Sequence, residues 1–191
     1  MILDIDEQSL SPLKPDREFK FGAVNKPWTP SWFENLNIQN HYGTTALMVA
    51  SENNNFNITQ LLINRDVELN IQDNDGYTAL IRSINSGTVE ITRLLIEAEA
   101  NLNIQINTGD TALMTTTRSI RSMTPENQLE ISHLLIERGA ELDTQNQQGY
   151  TALMLAAIYG KLEIARLLIA RGANTNILDN AKDTALILAI I

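Results

Sequence analysis

Two histidines are the residues of this chain best suited to acid–base or metal chemistry, and their spacing keeps them apart. His41 and His133 are the two histidines among 191 residues, and the chain has no cysteine. A catalytic dyad or a shared metal ion needs its groups within a few ångströms of each other, whereas these histidines fall two units apart in the repeat described below. No Gly-x-x-x-x-Gly-Lys phosphate loop is present either. We therefore predict no catalytic residue, no metal site and no cofactor, and expect that the chain is not an enzyme.

The charge balance excludes further classes of function. Lys and Arg number 14 against 23 Asp and Glu, which gives a formal net charge of −9 at pH 7. Nucleic acids and anionic membranes are bound through basic surfaces, so we expect neither as a partner. No run of about 18 apolar residues predicts a membrane helix, and the amino terminus lacks the basic and apolar regions of a secretory signal. Together with the absence of cysteine, this favours a cytoplasmic protein without membrane insertion.

An internal repeat organises the elements that must position any functional residue. The triplet Thr-Ala-Leu recurs at intervals of 33, 33, 40 and 33 residues, at Thr45, Thr78, Thr111, Thr151 and Thr184. The triplet Leu-Leu-Ile recurs at intervals of 33, 40 and 33 residues, at Leu61, Leu94, Leu134 and Leu167. Because two independent markers share one period and one interruption, the chain is built from units of about 33 residues.

Each unit is predicted to be two short helices joined by a turn and followed by an extended loop. In the fourth unit, Thr151 is placed to cap a helix that Gly160 ends. The second helix has an apolar stripe made of Leu162, Ile164, Leu167 and Leu168. Helices of this length are marginal in isolation, so neighbouring units must cover each other's apolar faces. The predicted fold is an all-α repeat solenoid.

From Gly149 to Asn174 the fourth unit reads Gly-x-Thr-Ala-Leu-Met-x-Ala-Ala and then Gly-Lys-Leu-Glu-Ile-Ala-x-Leu-Leu-Ile-x-x-Gly-Ala-Asn. This pattern resembles the ankyrin repeat. The resemblance implies an ankyrin-type stack of helix-turn-helix units with short β-hairpin loops over residues 36–191. Its units are 36–68, 69–101, 102–141, 142–174 and the partial unit 175–191, and residues 1–35 form a non-repeat segment.

The sequence departs from the family pattern at positions that affect packing. The family usually has Thr-Pro-Leu-His, whereas Thr-Ala-Leu is followed here by Met48, Ile81, Met114, Met154 and Ile187. We therefore expect apolar packing in place of threonine–histidine hydrogen bonds. Asp66 and Glu99 replace the glycine that closes the second helix, and Lys182 replaces the glycine of the hairpin loop. We expect the first, second and last units to be looser than the fourth.

The third unit is seven residues longer than its neighbours, and the extra residues fall around 118–128. Thr124, Pro125 and Glu126 resemble a helix cap, a first-turn proline and an acid that complements the helix dipole. Seven residues are close to two helical turns, so we expect one extra turn in each helix of this unit. The insertion is read either as a specific contact surface or as a tolerated change at a surface turn.

Both ends of the repeat array need a separate interpretation. In the amino-terminal segment, Trp32, Phe33 and Leu36 are placed to cap the first unit, and the alternative is a partner anchor formed by Phe19, Phe21 and Trp28. The fifth unit reaches Ile190 and Ile191 within its first helix. This apolar end predicts truncation of a longer array, self-association through Ile190 and Ile191, or a crude cap.

The resemblance also implies a partner-binding surface. In the family, the positions beside the hairpin glycine and at the end of the first helix line a concave binding surface. These correspond to His41, Tyr42, Thr44, Asn74, Asp75, Tyr77, Asn107, Thr108, Asp110, Gln147, Gln148, Tyr150 and Tyr159. The first helices continue this surface through Glu52, Asn53, Asn85, Ser86, Arg118, Ser119 and Ile158. Tyr77 and Tyr150 also fit a partly structural role, which leaves Tyr42 and Tyr159 as the stronger contact candidates.

Aspartates beside the turns point to the kind of partner. Asp73, Asp75, Asp110, Asp179 and Asp183 would form an acidic rim that favours a basic protein surface. The alternative is that these aspartates only make turn hydrogen bonds. The sequence thus predicts a non-catalytic protein–protein interaction module, acting as a scaffold, adaptor or inhibitor. The alternative function is a structural protein that self-assembles through its apolar carboxy-terminal end.

Overall fold

The computed structural model describes residues 35–118 and 123–190. Over these ranges the chain forms nine α-helices and no β-strand. The helices are α1 (Ala46–Glu52), α2 (Phe56–Ile63), α3 (Ala79–Ser86), α4 (Val89–Glu97), α5 (Ala112–Thr117), α6 (Pro125–Glu137), α7 (Ala152–Ile158), α8 (Leu162–Ala170) and α9 (Ala185–Leu188). The predicted features that involve Phe19, Phe21, Trp28, Trp32, Phe33, Ser119 and Ile191 lie outside the described residues.

The helices stack in two rows, as the repeat requires. The first helices of the units pack in the order α1, α3, α5, α7 and α9, and the second helices in the order α2, α4, α6 and α8. Within each complete unit the two helices also pack on each other. The prediction of an all-α repeat stack is confirmed. The loops predicted as β-hairpins are tight turns closed by a backbone hydrogen bond, such as that from Asp73 N to Tyr77 O (3.0 Å).

Threonine caps the start of the first helix in the four complete units, whereas Thr184 makes no such bond at the start of α9. The Oγ1 atoms of Thr45, Thr78 and Thr151 each accept the backbone N–H three residues later at 3.3 Å, and Thr111 does the same at 3.4 Å. These bonds satisfy one of the amide donors that a helix start leaves unpaired. The recurrent Thr-Ala-Leu triplet is therefore a helix start that is repeated with the unit.

Apolar packing replaces the family's histidine, as expected, in the four complete units. Met48, Ile81, Met114 and Met154 are all buried in the core. Ile187, at the same position of the fifth unit, is exposed. In α8 the predicted apolar stripe is only partly correct, because Ile164 and Leu168 are buried whereas Leu162 is exposed and Leu167 is half-buried.

In the longer third unit one helix is extended, whereas an extra turn was predicted for both. α6 has 13 residues and begins after the cap Thr124 with Pro125 in its first turn, as the sequence indicates. α5 ends at Thr117 after only 6 residues, and Arg118 is already extended. The predicted extra turn of the first helix is therefore wrong. The last three residues of α5 are threonines whose hydroxyls donate to backbone carbonyls of the preceding turn. β-Branched residues of this kind have low helix propensity.

Hydroxyl pairs join the two helices of the middle units. Ser83 Oγ lies 2.8 Å from Thr92 Oγ1, and Thr116 Oγ1 lies 2.6 Å from Ser132 Oγ. In the first unit the equivalent of Ser83 is Ala50, and the hydroxyl of Thr59 is buried without a hydrogen-bond partner. An unsatisfied buried hydroxyl destabilises the folded state.

We predict that Ala50→Ser stabilises the protein, because it supplies the missing partner of Thr59. The expected gain in unfolding free energy is about 1 kcal/mol, measured by urea denaturation. The matched control is Ala156→Ser, whose neighbour at the Thr59 position is Ala165 and offers no hydroxyl. An equal gain in both variants would contradict the explanation.

A second stability prediction concerns the residue after the second helix. Asp66 and Glu99 have φ values of 54° and 64°, in the left-handed region where units three and four have Gly139 and Gly172. We expect Glu99→Gly to stabilise by about 0.5–1 kcal/mol, since relief of left-handed strain outweighs the entropy cost of glycine. The control Glu97→Gly, at the last residue of α4, should instead destabilise by up to about 1 kcal/mol. Thermal denaturation that gives both variants the same sign of change would refute this reading.

Candidate partner-binding surface

Four of the five turns that carry the predicted surface are held by the same pair of side-chain hydrogen bonds, and the third turn has Ile106 at that position. In the second unit, Asp73 Oδ1 accepts the backbone N–H groups of Asp75 and Tyr77, both at 2.9 Å. Asn40, Asn146 and Asp179 make the same pair of bonds in the first, fourth and fifth units. Such Asx bonds hold a turn rigidly without strand pairing. The residues between them therefore occupy fixed positions.

Adjacent turns are bonded to each other through backbone and side chain. The backbone N–H of Asn74 donates to Tyr42 O at 3.0 Å, and its Nδ2 donates to His41 O at 3.1 Å. The same pair of hydrogen bonds, one from the backbone and one from the side chain, joins every later pair of turns. The donors are Asn107, Gln147 and Asn180. The turns thus form one continuous edge along the stack, which we call the turn edge.

A row of glutamines adds further bonds between turns. Gln72 Nε2 donates to Gly76 O of its own turn at 2.8 Å and to Gln105 O of the next unit at 3.0 Å. Gln39, Gln105 and Gln145 bond in the same way. These glutamines were not among the predicted site residues, although their recurrence at the period of the repeat was a visible signal.

The glycine of each of the first four turns is required because the next turn lies against it. Gly109 has φ 85°, and a Cβ atom there would lie 2.8 Å from both Asn146 Cα and Gln147 N. Gly43, Gly76 and Gly149 would meet the following turn equally closely. Real Cβ atoms do not approach backbone atoms to this distance, so these positions admit only glycine while the turns are stacked.

The predicted contact residues divide into two groups. Asn74, Asn107 and Gln147 are exposed, but their side-chain amides already donate within the stack. Tyr77 and Tyr150 are half-buried and pack against the core, which fits the structural role considered for them. For all five residues, contact with a partner stays a prediction.

Other predicted contact residues are accessible to solvent along the turn edge. Tyr42 is 64% exposed, and its ring lies against that of His41 with 3.7 Å between the centroids. Asp75, Thr108 and Gln148 are exposed, and Thr44 is half-buried.

Tyr159 lies apart from the turn edge. It follows α7, at the opposite end of that helix from the turn at Tyr150. There it lines a groove between the starts of α6 and α8 with Pro125, Leu129 and Leu162. The predicted surface therefore has two separate parts, the turn edge and this groove.

Charged side chains cluster at a depression beside the second turn. Glu52, Asp75, Tyr77, Arg82, Asn85 and Ser86 line it. Arg82 Nε lies 2.9 Å from Asp73 Oδ2, and its Nη1 lies 2.7 Å from Glu52 Oε2. Burial lowers the pKa of Arg82, but the hydrogen bond and charge of Asp73, followed by those of Glu52, outweigh burial and raise that pKa above its ordinary value. The guanidinium, 5.7 Å from the Tyr77 ring centroid, therefore stays charged and holds Glu52 in place.

The predicted acidic rim is smaller than the sequence indicates. Asp73 and Asp179 are buried and accept turn N–H groups, as the alternative interpretation held. Asp110 is also buried, where its carboxylate pairs with Arg118 and accepts from Asn146 Nδ2 at 2.7 Å. This leaves Asp75 exposed and Asp183 half-buried as the accessible acids of the predicted rim.

The two histidines occupy unrelated places. His41 lies at the tip of the first turn. His133 lies on α6, with its Nδ1 3.3 Å from Glu137 Oε1 and its Nε2 3.1 Å from Arg171. Among the described residues, no group of three or more His, Cys, Asp and Glu side chains could hold a metal ion. A search of the same residues finds no helix with the length and hydropathy needed to cross a membrane.

Comparison with known families agrees with the repeat markers. A family model described as ankyrin repeats (three copies) matches residues 31–106, 66–142 and 120–191. The matches overlap and extend over most of the chain. No curated protein shows significant similarity to it.

The close approach of the turns yields a test. We predict that Gly109→Ala destabilises the protein by at least about 1–3 kcal/mol more than Gly139→Ala, as measured by urea denaturation. Both glycines have positive φ values, 85° and 89°, but a Cβ atom at Gly139 would meet nothing within 4 Å. Equal losses would show that only the left-handed backbone matters and that the turns do not need to touch.

Proposed function

This chain belongs to the ankyrin-repeat family, whose members are generally protein–protein interaction modules, and on that premise we propose that it binds a protein partner through its turn edge. Binding there would make the chain a scaffold, an adaptor or an inhibitor of the partner. We propose further that it acts without catalysis, and in the cytoplasm.

The observation that carries the proposal is the exposed aromatic pair on a rigid turn. The rings of Tyr42 and His41 lie against each other at a tilt of 45°, and the carbonyls of both residues accept hydrogen bonds from Asn74. A rigid aromatic side chain supplies a large contact area and loses little conformational entropy on binding. Tyrosine is also enriched among residues that dominate binding energy.

Charge supports a partner with a basic surface. Asp75 and Glu52 are exposed at the same depression, and the whole chain carries a net charge of −9. Opposite charges accelerate association, and the effect weakens as salt screens it. Arg82 neutralises part of the local negative charge, so we expect the basic group of the partner to approach Asp75 first.

A second candidate function is self-assembly through Ile190 and Ile191. It is favoured by the exposure of Ile190, which reaches 79%. Such an assembly would raise the apparent mass with concentration in sedimentation experiments. A monomer at all concentrations would exclude it.

The main proposal predicts that Tyr42→Ala weakens binding by more than about 1 kcal/mol, or roughly fivefold in Kd. The partner is first identified by affinity capture from native lysate with the unmodified chain, and Kd is then measured by calorimetry. Tyr159→Ala tests the separate groove in the same way. Neither variant should change the unfolding midpoint appreciably.

The control is Arg166→Ala, because Arg166 of α8 is not among the residues that line the groove at Tyr159 and its side chain is 67% exposed. It should keep the affinity of the unmodified chain. Full affinity in Tyr42→Ala and Tyr159→Ala alike would refute the assignment of the binding surface.

A further inference from the structure

The side chain of His133 links the third unit to the fourth. Its Nε2 atom lies 3.1 Å from Arg171 Nη2 at the end of α8, and its Nδ1 atom lies 3.3 Å from Glu137 Oε1 of its own helix. Arg171 also lies 3.8 Å from Glu137. The imidazole is 45% exposed, so it exchanges protons with solvent while it holds these contacts.

The hydrogen bond with Arg171 requires one particular protonation state of the imidazole. A guanidinium has five N–H donors and no acceptor, so Arg171 must donate and Nε2 of His133 must accept. The single proton of the neutral ring therefore lies on Nδ1, which faces Glu137. In a charged imidazolium both ring nitrogens are donors, so the bond with Arg171 exists only while His133 is neutral.

The second unit shows what a permanently charged side chain does at the same position. Arg93 of α4 is the equivalent of His133 in the alignment of the repeats, and the equivalent of Arg171 is Arg138. In the part of the chain that the structure describes, Arg93 forms an ion pair with Glu130 of α6 rather than a contact with Arg138. A cation at this position therefore turns away from the arginine and pairs with a carboxylate.

The charges around His133 allow the same change of partner. Glu137 already lies beside Nδ1 and would pair with an imidazolium, whereas Arg171 would repel it. On α6 itself the other charged side chains are Glu126 and Glu130, which line one depression together with His133 and Arg93. The charged residues of the other helices packed on α6 are Glu90, Arg93 and Glu97 of α4 and Glu163 and Arg166 of α8, while α5 has none.

We propose that the hydrogen bond between Arg171 and His133 is a pH-sensitive link between the third and fourth units. Neutral His133 accepts from Arg171 and holds the end of α8 to α6. The protonated ring repels Arg171 and pairs with Glu137, which opens the link. Histidine side chains ordinarily change charge between pH 8 and pH 5, so the link opens in mildly acidic solution.

NMR of the unmodified protein at pH 8 tests the protonation state. Long-range proton–nitrogen spectra of the imidazole rings distinguish a protonated ring nitrogen from an unprotonated one. We expect His133 to carry its proton on Nδ1, and Arg171→Ala to shift that proton toward Nε2. His41 lies in another unit and serves as the reference ring in both proteins. A proton on Nε2 of His133 in the unmodified protein would overturn the proposal.

A double-mutant cycle in urea denaturation tests the pH dependence. The coupling between His133→Ala and Arg171→Ala should be favourable at pH 8 and should vanish or change sign at pH 5.5. The control is the coupling between Arg93→Ala and Glu130→Ala, which should be favourable at both pH values because arginine and glutamate ordinarily keep their charges over this range. None of the four residues is buried, so the variants should fold, which circular dichroism checks.

A glutamine at the same position separates the loss of the hydrogen bond from the titration. His133→Gln keeps an acceptor for Arg171 but gains no charge. Its coupling to Arg171→Ala, measured relative to His133→Ala, should therefore be equal at pH 8 and pH 5.5. The proposal is wrong if the coupling of the native histidine is also equal at the two pH values, or if the glutamine variant loses its coupling at pH 5.5.

Discussion

The structure depends on the close contact between adjacent turns. Each inner turn places a glycine with positive φ against the backbone of the next turn, and two amide hydrogen bonds from Asn74, Asn107, Gln147 or Asn180 close that contact. This spacing sets how far apart successive units lie. The helices then meet at a distance where short aliphatic side chains fill the core, although none of these helices would be stable alone.

The same contact explains why the units differ where they do. Lys182 can replace glycine in the fifth turn because no further turn packs against it in the described residues. Asp110 is buried because Arg118, at the start of the insertion, supplies its counter-charge. The proposed function uses the same arrangement, since bonded turns would present Tyr42 and Asp75 on a surface that needs little ordering when a partner binds.

Much of the fold was predictable because its signals recur with the unit. Repetition revealed the threonine caps, the apolar replacement of histidine and the unusual residues at Asp66 and Glu99. The end of α5 was not predictable in this way, because it depends on threonine hydroxyls that bond back to one particular helix. The site was predicted less completely, since burial of Asp110 and the bonds of Asn74 arise from neighbouring units, which positions within one unit do not reveal.

Amide hydrogen exchange by NMR tests the contact between turns most directly. The N–H groups of Asn74, Asn107, Gln147 and Asn180 belong to exposed residues, so burial alone would not protect them. The equivalent N–H of His41 lies in the first unit, where no preceding turn is described. We predict that the four amides exchange on the order of a hundredfold more slowly than that of His41. Equal rates for all five would contradict it.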